Sequence, residues 1–161
     1  MKIKRIEDEN FNHYRRPSMV VAFPSCTFKC NRACGEQVCQ NGALAASPDI
    51  EITPEEIVHR YLHNHISKAI VCAGLEPLDS PDDLLALVRA VRMRTDAEII
   101  IYTGYTKEEV QGMNGILDAL RMYSNMIIKY GRYIPGCETH MDEILGVPLC
   151  GDHQYAEVIS K

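Results

Sequence analysis

No stretch of this 161-residue sequence carries eighteen consecutive apolar residues, which excludes a membrane-spanning helix and leaves no membrane partner to expect. The opening MKIKRIEDEN turns acidic where a secretory leader has its apolar stretch, so the expected location is the cytoplasm. A basic excess is missing too. Seventeen Lys and Arg stand against 22 Asp and Glu, a net charge of -5, without the basic stripe that phosphate-backbone binding needs, so nucleic acid is not an expected partner. Glycine (10) and proline (8) are too scarce for a collagen-like or low-complexity chain, and neither an internal repeat nor a linker is visible. Also lacking are a Cys-x-x-Cys pair and any obvious Ser/His/Asp or Cys/His arrangement for nucleophilic catalysis. What is there is a globular composition, 46% apolar and 24% charged in 18.2 kDa, the size of a single domain over residues 1–161.

Short apolar, β-branched runs alternate with helical patterns. Ser18 to Phe23, Lys68 to Ala73, Glu98 to Tyr102 and Met126 to Tyr130 read as buried strands, and Tyr155 to Ile159 as a last one. Thr53-Pro54-Glu55-Glu56 and Ser80-Pro81-Asp82-Asp83 read as helix starts. Thr106 with Glu109 forms a capping box ahead of Val110, Met113, Leu117 and Leu120, read as one helix. Residues 7 to 17 and the return from Gly131 to Asp152 are only loosely patterned. Strand-helix alternation predicts an α/β fold with a mainly parallel sheet. A complete eight-unit barrel takes about 250 residues, so an incomplete β/α barrel is expected, with a flavodoxin-like open sheet as the alternative. The segments richest in Cys, Gly, Pro and Tyr each follow the C-terminal end of a predicted strand, where such folds build sites.

Four of the seven cysteines, Cys26, Cys30, Cys34 and Cys39, fall in one loop. Soft thiolates select an iron-sulfur cluster, zinc or copper(I), and free or redox-active thiols are the remaining reading. Structural zinc usually takes two Cys-x-x-Cys knuckles, which this loop lacks. Cys72, inside an apolar strand, reads as a core thiol, and Cys137 and Cys150 as unliganded. His59, His63 and His65 have the spacing of a helix surface.

The cysteine loop, Gly74-Leu75-Glu76-Pro77, Thr103-Gly104-Tyr105 and the late Tyr130-Gly131-Arg132-Tyr133 follow one another in an order that resembles the radical S-adenosylmethionine (SAM) enzymes, most of all the activating proteins of anaerobic ribonucleoside-triphosphate reductase. The resemblance spans about residues 15 to 159 and implies a partial radical-SAM-type barrel. In that family Cys-x-x-x-Cys-x-x-Cys holds three irons of a 4Fe-4S cluster, and the fourth iron binds the amino and carboxylate groups of SAM. Cys26 and Cys30 match the first pair, whereas Ala33 stands where the third cysteine falls. Cys39, followed by Gln40-Asn41, resembles the family's last cluster cysteine, with Cys34 as the alternative third ligand.

Gly74-Leu75-Glu76-Pro77 resembles the family's Gly-Gly-Glu-Pro, which receives the SAM amino group. The resemblance thus implies SAM contacts from Gly74, from the Leu75 backbone and from Glu76; an exposed loop acid is the plainer reading of Glu76. Thr103 offers a hydroxyl near the ribose or methionine, or is simply a turn residue. Lys129, Arg132 and Tyr133 resemble the family's late Gly-Arg-Phe stretch, which implies that the positive charge there helps hold a carboxylate or dock a partner, with a solvated strand end as the plainer reading. The implied activity is reductive cleavage of SAM to generate a glycyl radical on a large reductase subunit, with a flavodoxin- or ferredoxin-like electron donor. A non-catalytic iron-sulfur or zinc protein, and a radical SAM enzyme acting on another macromolecule, are the alternatives.

Overall fold

Four strands form the middle of the sheet because their residues are apolar on both faces, the pattern of strands buried between two layers. A computed structural model describes residues 1–160. In chain order the elements are β1 (Lys2–Ile3), β2 (Arg5–Asn10), β3 (Ser18–Phe23), α1 (Lys29–Cys34), α2 (Gly42–Ala46), β4 (Ile50–Glu51), α3 (Pro54–Leu62) and β5 (Ala69–Gly74). They continue with α4 (Pro81–Arg92), β6 (Glu98–Tyr102), α5 (Lys107–Gln111), α6 (Ile116–Arg121), β7 (Met126–Tyr130), β8 (Thr139–Asp142), β9 (Val147–Cys150) and β10 (Tyr155–Val158). Six strands make one sheet in the order β10-β7-β6-β5-β3-β2. The inner four run parallel, in a register that aligns Val20, Val71, Ile100 and Ile127, while β2 and β10 are antiparallel edges. The sheet is open: among the described residues its two edges do not pair with each other, and no closed barrel forms.

Alternation along the strands divides the core in two. Met19, Val21, Ile70, Ile99, Ile101 and Ile128 face the helices, packing on Ile57, Val58, Leu84, Leu87, Val88 and Leu120. Cys72 belongs to this layer and is wholly buried, which pushes its thiol up to about 12. Val20, Val71, Ile100 and Ile127 face the other way, toward Tyr14 and the hairpin residues Leu145, Val147 and Leu149. Each buried Leu, Ile or Val is worth about 1.5–3 kcal/mol, against about 1 kcal/mol for a helix cap, so the strands' apolar runs govern the sheet and the caps set helix starts.

The capping boxes Thr53/Glu56 and Thr106/Glu109 both form. Ser80 stands at the N-cap of α4, but its side chain makes no capping bond. The single helix expected after Thr106 is two, because the chain breaks between Gly112 and Gly115, the latter at φ 72°. The loosely patterned stretches also hold structure. Arg5–Asn10 is the edge strand β2, where charged side chains are tolerated and apolar alternation is not required. The Gly131 to Asp152 return carries the β8–β9 hairpin, whose short strands, with Pro148 in β9, give little periodic signal. No helix among the described residues is long and apolar enough to cross a membrane.

Candidate iron-sulfur site

The loops that follow β3, β5, β6 and β7 line one cavity of about 470 Å³ at the C-terminal edge of the parallel strands. Cys26, Cys30 and Cys39 form one wall; Gly74, Leu75, Glu76, Thr103, Lys129 and Arg132 lie around them. Cys34 does not line the cavity. Its thiol neighbour is Cys137, in the return segment.

Local hydrogen bonds explain why Cys39, and not Cys34, comes back to the first pair. After Cys30 the chain makes the short helix α1, which ends at Gly35 in the left-handed region, φ 70°. Asn31 Oδ1 then accepts from Val38 N at 3.0 Å and Cys39 N at 2.9 Å, tying the end of the inserted turn to its beginning. The Cys30 thiol pKa is raised by burial and by the neighbouring Cys39, and Cys30 is close enough to Cys26 to add to the rise that burial gives its thiol. Asn41 Nδ2 donates to Gly74 O at 2.8 Å and fixes the exit of the loop to β5. The entrance is held by Asp79, which accepts from Thr27 N at 2.9 Å and from the Tyr105 hydroxyl at 2.5 Å. Phe28 takes a left-handed φ of 51° and its N–H reaches Cys26 Sγ at 3.2 Å, a bond that favours the thiolate.

Three thiols on one wall suit an iron-sulfur cluster, in which each thiolate binds a separate iron. They need not converge on a single ion, and among the described residues no group of three His, Cys, Asp or Glu does so. Burial, with Glu76 and Asp79 nearby, pushes the Cys26 thiol up to about 11, so a cationic centre is required to hold it as thiolate at neutral pH.

A family model of 4Fe-4S single cluster domains matches residues 16–141, which include the whole cysteine loop and the segments after β5 and β6. The chain belongs to the 4Fe-4S single cluster domain family. No curated protein matches it in sequence. The family supports a 4Fe-4S cluster in this domain.

Beside the thiols, the 4Fe-4S domain buries an acid and a base. Glu76 is 4% exposed, not the exposed loop acid of the plainer sequence reading. Its Oε1 accepts from Leu78 N at 3.1 Å and its Oε2 from Gly104 N at 2.8 Å, so one carboxylate joins the loops after β5 and β6. Burial outweighs these bonds and pushes its pKa up to about 7. Lys129, 6% exposed, is likewise no solvated strand end. Its Nζ donates to Gly131 O at 2.7 Å, and burial brings its pKa down to about 8, partly countered by the Glu76 charge. Arg132 donates to Glu109 at 2.6 Å while its Nε is buried without a protein partner.

Two motif residues have structural duties that the sequence did not announce. A Cβ on Gly74, at φ +92°, would stand 2.6 Å from Ala22 Cα, so glycine is required there for packing of β5 on β3. Thr103 is buried, and its Oγ1 accepts from Tyr105 N at 3.0 Å, so it builds the turn; its hydroxyl also lowers the Glu76 pKa, against the larger effect of burial. Leu75 N donates to Phe23 O at 3.3 Å, with the residue on the cavity wall. Asn31, Asp79 and Asn41 escaped the sequence reading as positioning residues; only Asn41 carried a signal, its place two residues after Cys39.

Proposed function

We propose that this chain is a radical SAM activating protein that generates a glycyl radical on a large reductase subunit. The observation that carries the reading is the meeting of three loop thiols, a buried carboxylate and a buried ammonium on one cavity at the C-terminal edge of four parallel strands. An open sheet with helices on one face and the cavity at its strand ends supports an incomplete radical-SAM-type β/α barrel. Cys26, Cys30 and Cys39 hold a 4Fe-4S cluster through three irons. A cluster held by these three thiols would leave its fourth iron for SAM, since Cys34 does not line the cavity and Cys150 Sγ is bonded to the carbonyls of Ile134 and Cys137.

Around that centre the side chains divide the work of binding. Glu76 keeps a free lone pair on each oxygen after its two backbone bonds, enough to accept from an ammonium group. Gly74 and Leu75 offer backbone beside it, and Thr103 holds the acid in place. Lys129 and the unpartnered Nε of Arg132 suit a carboxylate. The bound cluster supplies one electron, from a flavodoxin- or ferredoxin-like donor, that cleaves the sulfonium bond to methionine and a 5'-deoxyadenosyl radical, which takes a hydrogen atom from the partner and leaves 5'-deoxyadenosine. The open side of the sheet suits a macromolecular substrate, such as a glycine-bearing loop.

The test mixes reduced, reconstituted protein with SAM and a candidate reductase subunit. 5'-Deoxyadenosine together with the doublet resonance of a glycyl radical is the expected result. Deoxyadenosine without the doublet removes this substrate and favours another macromolecule. Neither product, with cluster and SAM bound, removes the enzymatic reading.

A further inference from the structure

Two thiols outside the cluster set, Cys137 and Cys150, lie at one end of the β8–β9 hairpin, and Cys150 lines the same cavity. Cys150 closes β9, pairs with Thr139 across the hairpin and lines the cavity. Past that pair, Gly151 N donates to Glu138 O at 2.8 Å and carries the pairing one step further. Cys137 comes just before this extended pairing, at the end of the hairpin that Cys150 closes. The thiol of Cys150 lies 3.5 Å from Cys137 O and 3.3 Å from Ile134 O. A Cβ on Gly151 would come 3.2 Å from Cys137 Cβ, so the two chain segments are in direct contact. Both cysteines are partly exposed, and the Cys137 pKa is raised by burial and then by Cys150 from close by, in keeping with the contact of Cys150 Sγ with the Cys137 carbonyl.

Apposed, accessible thiols are substrates for thiol–disulfide exchange. We infer that Cys137 and Cys150 form a reversible intramolecular disulfide at the cavity rim, oxidised by low-molecular-weight disulfides and reopened by dithiols. One thiolate attacks a sulfur of the oxidant and releases a first thiol. The second thiolate attacks the resulting mixed disulfide and releases another. The pair gives up two electrons and two protons, which the oxidant carries away as two thiols.

The bridge acts on the wall behind the buried lysine. Cys150 N donates to Gln154 Oε1 at 3.0 Å, and Gln154 Nε2 donates to Gly131 O at 3.2 Å, the carbonyl that also receives Lys129 Nζ. Oxidation therefore pins the hairpin end from which this chain of bonds starts. Cys34, the other thiol neighbour of Cys137, lies on α1, and the competing Cys34–Cys137 bridge would cross from the cluster loop to the hairpin.

The experiment equilibrates the cluster-loaded protein anaerobically with glutathione buffers of increasing disulfide fraction, quenches in acid, alkylates, and maps peptides without reduction after cleavage at Asp142, which separates the two cysteines. The expected result is a Cys137–Cys150 linked peptide, loss of two alkylatable thiols per chain, unchanged iron content and full reversal by dithiothreitol. Cys150→Ser should leave Cys137 only as a glutathione adduct. A Cys34–Cys137 peptide, or adducts on both cysteines with no internal bridge, overturns the inference. Iron content and SAM affinity measured on the same samples keep this result separate from the fate of the proposed radical chemistry.

Discussion

Replacing Asn31 by alanine removes the acceptor that closes the inserted turn between Cys30 and Cys39. Two backbone donors, Val38 N at 3.0 Å and Cys39 N at 2.9 Å, lose their partner, and both bonds are partly buried. At a net 0.5–1.5 kcal/mol each, the loss is about 1–3 kcal/mol, which loosens the closed loop by roughly five- to 150-fold. This cost falls on the cysteine loop and not on the sheet, because Asn31 lies on α1, none of whose own residues is buried in the core. Asn31→Ala should therefore release cluster iron to a chelator faster than wild type by about that factor, while the cooperative melting of the metal-free protein stays nearly unchanged. Asn31→Asp, which keeps the acceptor, should retain iron. Chelation at the wild-type rate in Asn31→Ala, alongside rapid loss in a Cys39 variant, would refute the idea that this side chain sets the third ligand.

Three further outcomes follow from the same geometry. Cys39→Ser should lose most cluster iron and Cys34→Ser should keep it, checked by iron and sulfide content after anaerobic reconstitution; the opposite order would hand the third position to Cys34. Gly74→Ala should destabilise the fold by about 2–6 kcal/mol in urea unfolding, since a Cβ at φ +92° combines backbone strain with overlap on the Ala22 backbone. SAM affinity, measured by calorimetry in cluster-loaded protein, should peak between about pH 7 and 8: below about 7 Glu76 takes up a proton and no longer attracts the ammonium, and above about 8 Lys129 loses the charge that attracts the carboxylate. Glu76→Gln should flatten the acidic limb, and an unchanged limb would exclude Glu76 as its source.

The parallel strands and the two capping boxes were legible because each is a local pattern: an apolar run bounded by turns, or a Thr with Glu three residues on. The charged edge strand Arg5–Asn10 was not, since an edge needs no apolar alternation, and the short β8–β9 hairpin was not, since its order depends on covering Val20, Val71 and Ile100. Within the site, cysteine count and loop position pointed to an iron-sulfur centre. The folding of the insert rests on one side-chain oxygen, Asn31 Oδ1, that no spacing rule predicts. Burial of Glu76 and Lys129 was equally hidden, because both sit at strand ends where sequence alone reads as solvent-facing. Gly74 gained a further reason that sequence does not show, the contact with Ala22.

The most direct test of the central claim is electron paramagnetic resonance of the anaerobically reconstituted, reduced protein, recorded with and without SAM. An open-iron cluster on Cys26, Cys30 and Cys39 predicts a brown protein with about four irons per chain and a reduced-state signal that changes shape when SAM is added. A colourless protein with one tightly held zinc, or a cluster whose signal does not respond to SAM, would contradict it.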